Sequence, residues 1–393
     1  MESPRRAAET AEERWLRPGA TRARDAYLTR VYPERGPDDY RTDFQRDRDR
    51  IIYSTAFRRL QYKTQVYVTH EGDFYRTRLT HTIEVVQHAR TLARALRVNE
   101  DLCEAIALGH DLGHPPFGHA GEQQLDHEMS AYGGFDHNRQ GLRVVDLLEQ
   151  RYAGFPGLNL CFATREGLAR HLTPFDDPGV EPAFASLQPS LEAQVVNIAD
   201  ELAYCAHDLD DALDAGLLRL EDCHLPGIPM LEEALEKAGG AGDRRIEHRL
   251  VIRNLIELFN VDAITWSEGL LGAAGVTGPG QVRVHPSPLV ALSPEGRLQL
   301  NRLREFLVCY VYQDARVVLM TEKGKYIVAQ LFAAILARPQ LLPRPALEEY
   351  ERADDGAGRY RVVCDFISSL TDQFASDLYA ALRLPRERAR HLF

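Results

Sequence analysis

The chain has 393 residues, 44% of them apolar and 27% charged, with a formal net charge of −11. Such a composition fits a soluble globular protein with a sizeable core; it offers no run of the roughly 20 apolar residues that a membrane-spanning helix needs, and no broad basic face for non-specific nucleic-acid binding. Six scattered cysteines without a CxxC pair, and an N-terminal stretch lacking an apolar segment, lead us to expect reduced, mostly buried thiols in a cytoplasmic protein.

Residues 1–40 mix charge with Pro and Gly and read as an arm with room for one helix, suited to an oligomer contact. Residues 43–60 predict a helix with Ile51, Ile52, Ala56 and Leu60 along one side. Arginine is dense over 41–59, which predicts one basic patch, although the run from 46 to 50 also reads as a solvated helix face. The β-branched and aromatic segment 64–75, with turn chemistry at Glu71-Gly72-Asp73, predicts a short hairpin. Helical spacing then dominates. Helices are expected over 80–96, 101–108, from about 118 onward, 142–148, 191–213, 300–312, 325–337 and 362–382. Loops are expected over 174–189, 225–229 and 272–288.

One stretch carries chemistry rather than packing. His110-Asp111-Leu112-Gly113-His114-Pro115-Pro116-Phe117-Gly118-His119-Ala120-Gly121-Glu122 places three histidines within ten residues among acids, glycines and prolines, a composition that stability alone would not select. Imidazole and carboxylate together suit divalent first-row metals. Glycine lets backbone approach a ligand closely, and proline stiffens the loop. At a helix end beside Gly109, His110 and Asp111 can both turn inward. Upstream stands His81 near the start of an amphipathic helix. Downstream, Asp200, Tyr204 and Asp208 fall at i, i+4 and i+8, on one face of a helix whose other positions are strongly apolar. Such a face suits a polar cavity.

His81, then His110-Asp111, then Asp200 resembles the H…HD…D signature of the HD-domain metal phosphohydrolases. More narrowly, residues 110–122 resemble the deoxyguanosine triphosphate triphosphohydrolase family. Flanking blocks agree: Phe57-Arg58-Arg59-Leu60-Gln61-Tyr62-Lys63-Thr64-Gln65-Val66, residues 78–84, Gly134-Phe135-Asp136-His137-Asn138, residues 197–204 and residues 303–312. The resemblance covers roughly 40–335 and implies an all-α fold, an HD-domain helical core with N- and C-terminal helical elaborations and at most a short β-hairpin. It implies His81, His110, Asp111 and Asp200 as metal ligands and His114, His119 and Glu122 as the catalytic set. Arg78, Lys63 and Arg304 become candidate phosphate contacts, Gln65, Val66, Tyr204 and Asp208 sugar contacts, and His137 a further active-site histidine. In this family water attacks the α-phosphorus, releasing deoxynucleoside and intact tripolyphosphate.

The expected cofactor is a divalent metal, Mn²⁺ or Mg²⁺, with another first-row metal open; the expected substrates are deoxynucleoside triphosphates. The resemblance further implies a homo-oligomer, hexamer or tetramer. Expected organisation is an arm over 1–40, a catalytic core over 41–222, a loop-rich insertion over 223–298 and a C-terminal helical region over 299–393. The competing readings are another HD-type nucleotide phosphohydrolase, or a nucleotide-sensing or single-strand nucleic-acid-binding regulator; the acidic charge does not favour nucleic acid, and no membrane partner is expected. Asp136, Asp211 and His207 are expected to be solvated.

Overall fold

A computed structural model describes residues 3–25, 29–34, 40–65, 76–171, 182–239 and 242–383. Among them lie seventeen α-helices and no sheet, as an all-α fold requires. The N-terminal part carries α1 (Pro4–Trp15), α2 (Asp43–Ile52), α3 (Thr55–Arg59), α4 (Arg78–Ala95) and α5 (Glu100–Gly109). After the histidine-rich loop come α6 (Gly118–Met129), α7 (His137–Arg143), α8 (Phe162–Ala169) and α9 (Leu191–Asp214). Then follow α10 (Pro229–Ala238), α11 (Arg244–Ala274), α12 (Pro279–Arg283) and α13 (Pro294–Leu307). The last described helices are α14 (Ala315–Ala337), α15 (Arg344–Arg352), α16 (Gly356–Ser368) and α17 (Asp372–Arg383).

The helix starts follow local chemistry. Thr42 and Thr77 form capping boxes with Gln45 and Thr80, and Ser54, Asn99 and Ser190 accept backbone N–H bonds at the starts of α3, α5 and α9. The Ser54 cap explains why the expected helix over 43–60 is two helices. Likewise the expected 362–382 helix divides into α16 and α17. Only the base of the expected hairpin is described, as a single antiparallel bridge between Thr64 and Thr77; its remainder, with Val66, lies outside the described residues.

The segment 223–298 corrects the expectation of loops. It holds α10, α12 and the 31-residue α11, whose buried Val251, Leu255, Phe259, Ala263, Ser267 and Leu271 repeat at i+4. Within the basic patch expected over 41–59, the arginines of residues 41–50 are offset by acids: Arg41 pairs with Asp49, Arg46 and Arg50 with Glu34, and Arg48 with Asp49, Asp101 and Glu104. Five of the six cysteines are buried and all are unbridged. No described helix is long and apolar enough to cross a membrane.

Two apolar cores organise these helices. The larger gathers Phe44 and Ile51 of α2, Val85 and Leu92 of α4, Leu102 and Ile106 of α5, and Val195 and Leu202 of α9, with α11 and α13 against them. The smaller joins Leu125 and Met129 of α6 to Ile327, Leu331 and Phe332 of α14 and to Val363 and Ile367 of α16. The N-terminal arm is bonded into the larger core. Glu192 of α9, fully buried, accepts from Thr21 N–H and Oγ1–H (both 2.9 Å) and from Asn99 N–H (3.1 Å).

Asp47 performs a similar task on α2. Its carboxylate, fully buried, accepts from Arg30 Nη1 at 2.6 Å, Cys161 N–H at 2.8 Å and Thr164 Oγ1 at 2.7 Å. Removing one partner of a buried ion pair strands the other charge. Asp47→Ala is therefore predicted to cost about 3–5 kcal/mol in urea unfolding, and a loss below about 1 kcal/mol would show that Arg30 finds other compensation.

Candidate metal centre and active site

The larger core ends where the chemistry begins. α5 stops at Gly109, so His110 and Asp111 leave the helix together and both turn inward, each 3% exposed. The following loop is shaped by glycine: a Cβ on Gly113 would lie 2.0 Å from the His137 carbonyl, and one on Gly121 2.0 Å from the Pro116 carbonyl. Phe117 and Gly118 adopt left-handed backbone (φ +64° and +55°), and a Cβ on Gly118 would stand 3.0 Å from Arg78 Nη2. Asp372 at the start of α17 holds the loop from outside, accepting from Phe117 N–H and Thr64 N–H, both at 2.9 Å.

α4 and α9 lie against α5 and bring His81 and Asp200 to meet His110 and Asp111. His81 Nε2 is 2.9 Å from Asp200 Oδ1, and His110 Nε2 is 3.6 Å from the same oxygen and 3.7 Å from Asp111 Oδ1. Outward partners engage both Nδ1 atoms. His110 Nδ1 contacts the Ala107 carbonyl at 2.6 Å, which can only accept, so Nδ1 carries a proton. Burial opposes a second proton, but Asp111 and Asp200 prevail and raise the His110 pKa to about 9, so Nε2 holds either a proton or, in its place, a metal ion. Glu84 Oε2 lies 3.2 Å from His207 Nε2, and His207 Nδ1 lies 3.2 Å from His81 Nδ1; burial and the neighbouring His81 hold His207 well below its usual pKa. His81 Nδ1 is thus engaged from outside, and its Nε2 is left to face Asp200.

Two imidazole Nε2 atoms thus face carboxylate oxygens in a buried site, where a proton or a metal ion can lie between them. His110 Nε2 and Asp111 Oδ2 are buried without a hydrogen-bond partner. A metal ion could lie among them: metal–nitrogen bonds of about 2.0–2.1 Å would place neighbouring donors about 3 Å apart, and these stand 2.9, 3.6 and 3.7 Å apart. The donor set fits a divalent metal, and His81, His110 and Asp111 form one cluster of potential ligands. Burial pushes the Asp111 pKa up, but Arg78, His110 and His81 prevail and bring it to about 2. Asp200 is likewise held well below the usual range against its burial, by hydrogen bonds from the surrounding histidines.

Beside this cradle stands a second group. Glu122 Oε2 lies 3.2 Å from His119 Nδ1, and its Oε1 accepts from His137 N–H (2.8 Å) and Nδ1 (2.9 Å). Despite burial, His137 and His119 keep Glu122 well below the ordinary carboxylate range. His114 stacks on His137 with ring centroids 3.8 Å apart and points Nε2 at Asp111 Oδ1, 3.3 Å away. Arg78 donates to Asp111 Oδ1 at 2.9 Å, while its Nε and Nη2 are buried without a hydrogen-bond partner.

The cradle holds a small cavity of about 40 Å³, lined in part by His81, His110, Asp111, His114, Asp200 and Arg304. A cleft of about 670 Å³ adjoins it between the two cores, and Gln65, His119 and Tyr204 line both spaces. The sequence-derived residues therefore converge, with three qualifications. Lys63 is turned away, donating to the His114 and Ser368 carbonyls at 2.5 and 2.8 Å, and burial with Arg59 nearby pushes its pKa down to about 7. Asp208 sits behind the cleft wall, hydrogen-bonded to Tyr312. Val66 lies outside the described residues. Two buried histidines beside the cradle escaped the sequence reading: His171, and His207, which with Asp211 was expected to be solvated but is 3% exposed.

Tyr312 Oη contacts both Asp208 Oδ2 and, at 2.9 Å, Tyr204 Oη. Tyr204 carries a hydroxyl proton of its own, so Tyr312 can accept from Tyr204 and donate to Asp208. Burial, with help from Asp211, pushes the Asp208 pKa up to about 8. The folded state then binds more protons than the unfolded state between about pH 4 and 8, and this contribution to stability is lost as pH rises through that window. Asp208→Asn lacks the effect. Its stability relative to wild type is predicted to rise from pH 4 to 8 and then level off; a pH-independent difference in thermal unfolding would contradict a neutral Asp208.

Comparison with known proteins agrees with the geometry. The HD domain family matches residues 78–205, and the phosphohydrolase-associated domain family matches residues 290–381. A deoxyguanosinetriphosphate triphosphohydrolase-like protein of Syntrophus aciditrophicus is 47% identical over 392 residues, covering 98% of each chain. Counterparts of the same description from Geobacter sulfurreducens (45% identical, 91% of this chain and 93% of the relative) and Azoarcus sp. (48%, 88% and 91%) are similar over most of their lengths.

Proposed function

Since this chain belongs to the deoxyguanosinetriphosphate triphosphohydrolase-like family of HD-domain phosphohydrolases, we propose that it is a metal-dependent deoxynucleoside triphosphate triphosphohydrolase, releasing deoxynucleoside and intact tripolyphosphate. The observation that carries this reading is the junction of a buried metal cradle with a nucleotide-sized cleft through His119, Gln65 and Tyr204. His81, His110, Asp111 and Asp200 would hold the ion, Mn²⁺ or Mg²⁺. When bound, it supplies charge compensation for phosphate and lowers the pKa of the attacking water.

The remaining steps belong to side chains. Arg78, with two donors unspent, and Arg304, on the cradle wall, are positioned to fork onto phosphate oxygens. His119 protonates the departing 5′-oxygen. Its Nδ1 is engaged by an ionised Glu122, which stabilises the imidazolium and leaves Nε2 for the leaving group. His137 acts through Glu122, which it holds with two hydrogen bonds. Gln65 borders the sugar, and the Tyr204 ring, fixed by Tyr312 and backed by Asp208, closes the space a ribose 2′-hydroxyl would need. His114 links the two groups by stacking on one and facing Asp111 of the other. By family resemblance the working unit is a homo-oligomer.

The test is product analysis with all four deoxynucleoside triphosphates, singly and mixed, with Mn²⁺ or Mg²⁺ and with chelator. Deoxynucleoside with intact tripolyphosphate, abolished by chelator, is expected. Monophosphate with pyrophosphate, or stepwise free phosphate, would contradict the reading and move the chain to another HD-type reaction. In the same assay His119→Ala is predicted to keep its metal and lose at least about 100-fold in kcat; a near-normal rate would remove His119 as the general acid.

A further inference from the structure

His171 lies outside the four-residue ligand set. It follows α8 directly, is 1% exposed, and places Nε2 3.2 Å from Asp200 Oδ2, the carboxylate oxygen not shared by His81 and His110. Its ring centroid is 5.1 Å from that of His110, and the potential ligand atoms of His110, His171 and Asp200 form a cluster of their own.

The orientation of His171 is determined by a short chain of bonds. Asn197 Nδ2 donates to the Arg170 carbonyl at 3.3 Å, which turns Asn197 Oδ1 toward His171 Nδ1, 2.8 Å away. An amide oxygen only accepts, so His171 carries a proton on Nδ1, and in its neutral form it presents a lone pair at Nε2. Nε2 faces a carboxylate. Asn197 and Asp200 are three residues apart on α9, so one helix face supplies both the acceptor at Nε2 and the group that aims the ring. The Arg170 guanidinium bonds the Phe184 and Ser186 carbonyls at 3.1 and 2.7 Å, anchoring the residue that precedes His171. Metal-binding histidines characteristically donate the other ring N–H to an oxygen acceptor. His110 does this to Ala107, and His171 does it to Asn197.

We propose that His171 is a further protein ligand of the metal centre, a third imidazole beside His81 and His110, with Asn197 as its positioning residue. The proposal rests on the metal reading of the cradle but not on the nucleotide reaction. It makes Asp200 a two-sided ligand, with one oxygen toward His81 and His110 and the other toward His171. A buried imidazolium paired with Asp200 is the alternative, and it would leave only two imidazoles on the ion.

Pulsed electron paramagnetic resonance on the full chain loaded with Mn²⁺ alone, without nucleotide, distinguishes them. Nitrogen couplings from three imidazoles are expected in the wild type and from two in His171→Gln, with Mn²⁺ affinity weakened by about 10-fold or more. A wild-type count of two, or an unchanged count in His171→Gln, would overturn the proposal. His110→Gln serves as the reference: a count that it leaves unaltered would discredit the cradle itself, a different failure. Should His171→Gln bind no manganese, His171→Gly with added imidazole is expected to recover binding and the third coupling; failure of imidazole to do so while the variant remains folded by circular dichroism would refute ligation.

Discussion

Imidazole nitrogens packed against buried carboxylates are the constraint on which the site depends. His81 and His110 have their Nδ1 atoms engaged from outside, by His207 and the Ala107 carbonyl, so their Nε2 atoms confront Asp200 and Asp111. In water such a set would rotate apart. Here it is held because the rings lie in a close-packed core whose helices are capped, spaced and crossed by buried polar ties. Held in this way, His81, His110 and Asp111 form a buried cluster that could bind a metal ion.

The rest of the molecule serves to hold that arrangement beside an open cleft. The larger core supplies His81, His110, Asp111 and Asp200 from α4, the end of α5 and α9. The smaller core supplies the α6 face with His119 and Glu122 and the α14 wall of the cleft. Between them the loop over 110–117 must make a sharp passage, which is why Gly113, Gly121 and a left-handed Phe117 occur together. Asp372 and Lys63 tie that loop to the C-terminal helices through backbone groups. Lys63 is therefore better placed to set the loop's position than to meet a phosphate.

Much of this was legible in the sequence because catalytic chemistry is locally dense. The block over 110–122 has a composition that no apolar face would select, and the i, i+4, i+8 spacing of Asp200, Tyr204 and Asp208 marks one helix face. Isolated histidines carry no such signal. His171 stands alone ahead of a Pro-containing stretch, and His207 sits among charged residues that suggest solvent; both acquire meaning only when α9 crosses α4 and the end of α8. The α11 helix was obscured for another reason. Its buried stripe passes through Ala263 and Ser267, too small and polar to stand out, while the glycines at its borders suggested loops. Over 41–59 the arginines are visible in sequence but their partners, Glu34, Asp101 and Glu104, are distant or unmarked.

The measurement that bears most directly on the account is calorimetric titration of Mn²⁺ into the chelator-treated wild type and Asp111→Asn, a substitution that keeps the side chain's shape. Saturable binding to the wild type and its loss in the variant, with circular dichroism unchanged, is the predicted result. Binding of equal affinity in both would mean that the ion, if one is used, sits elsewhere, and that the facing imidazoles and carboxylates at the end of α5 have another explanation.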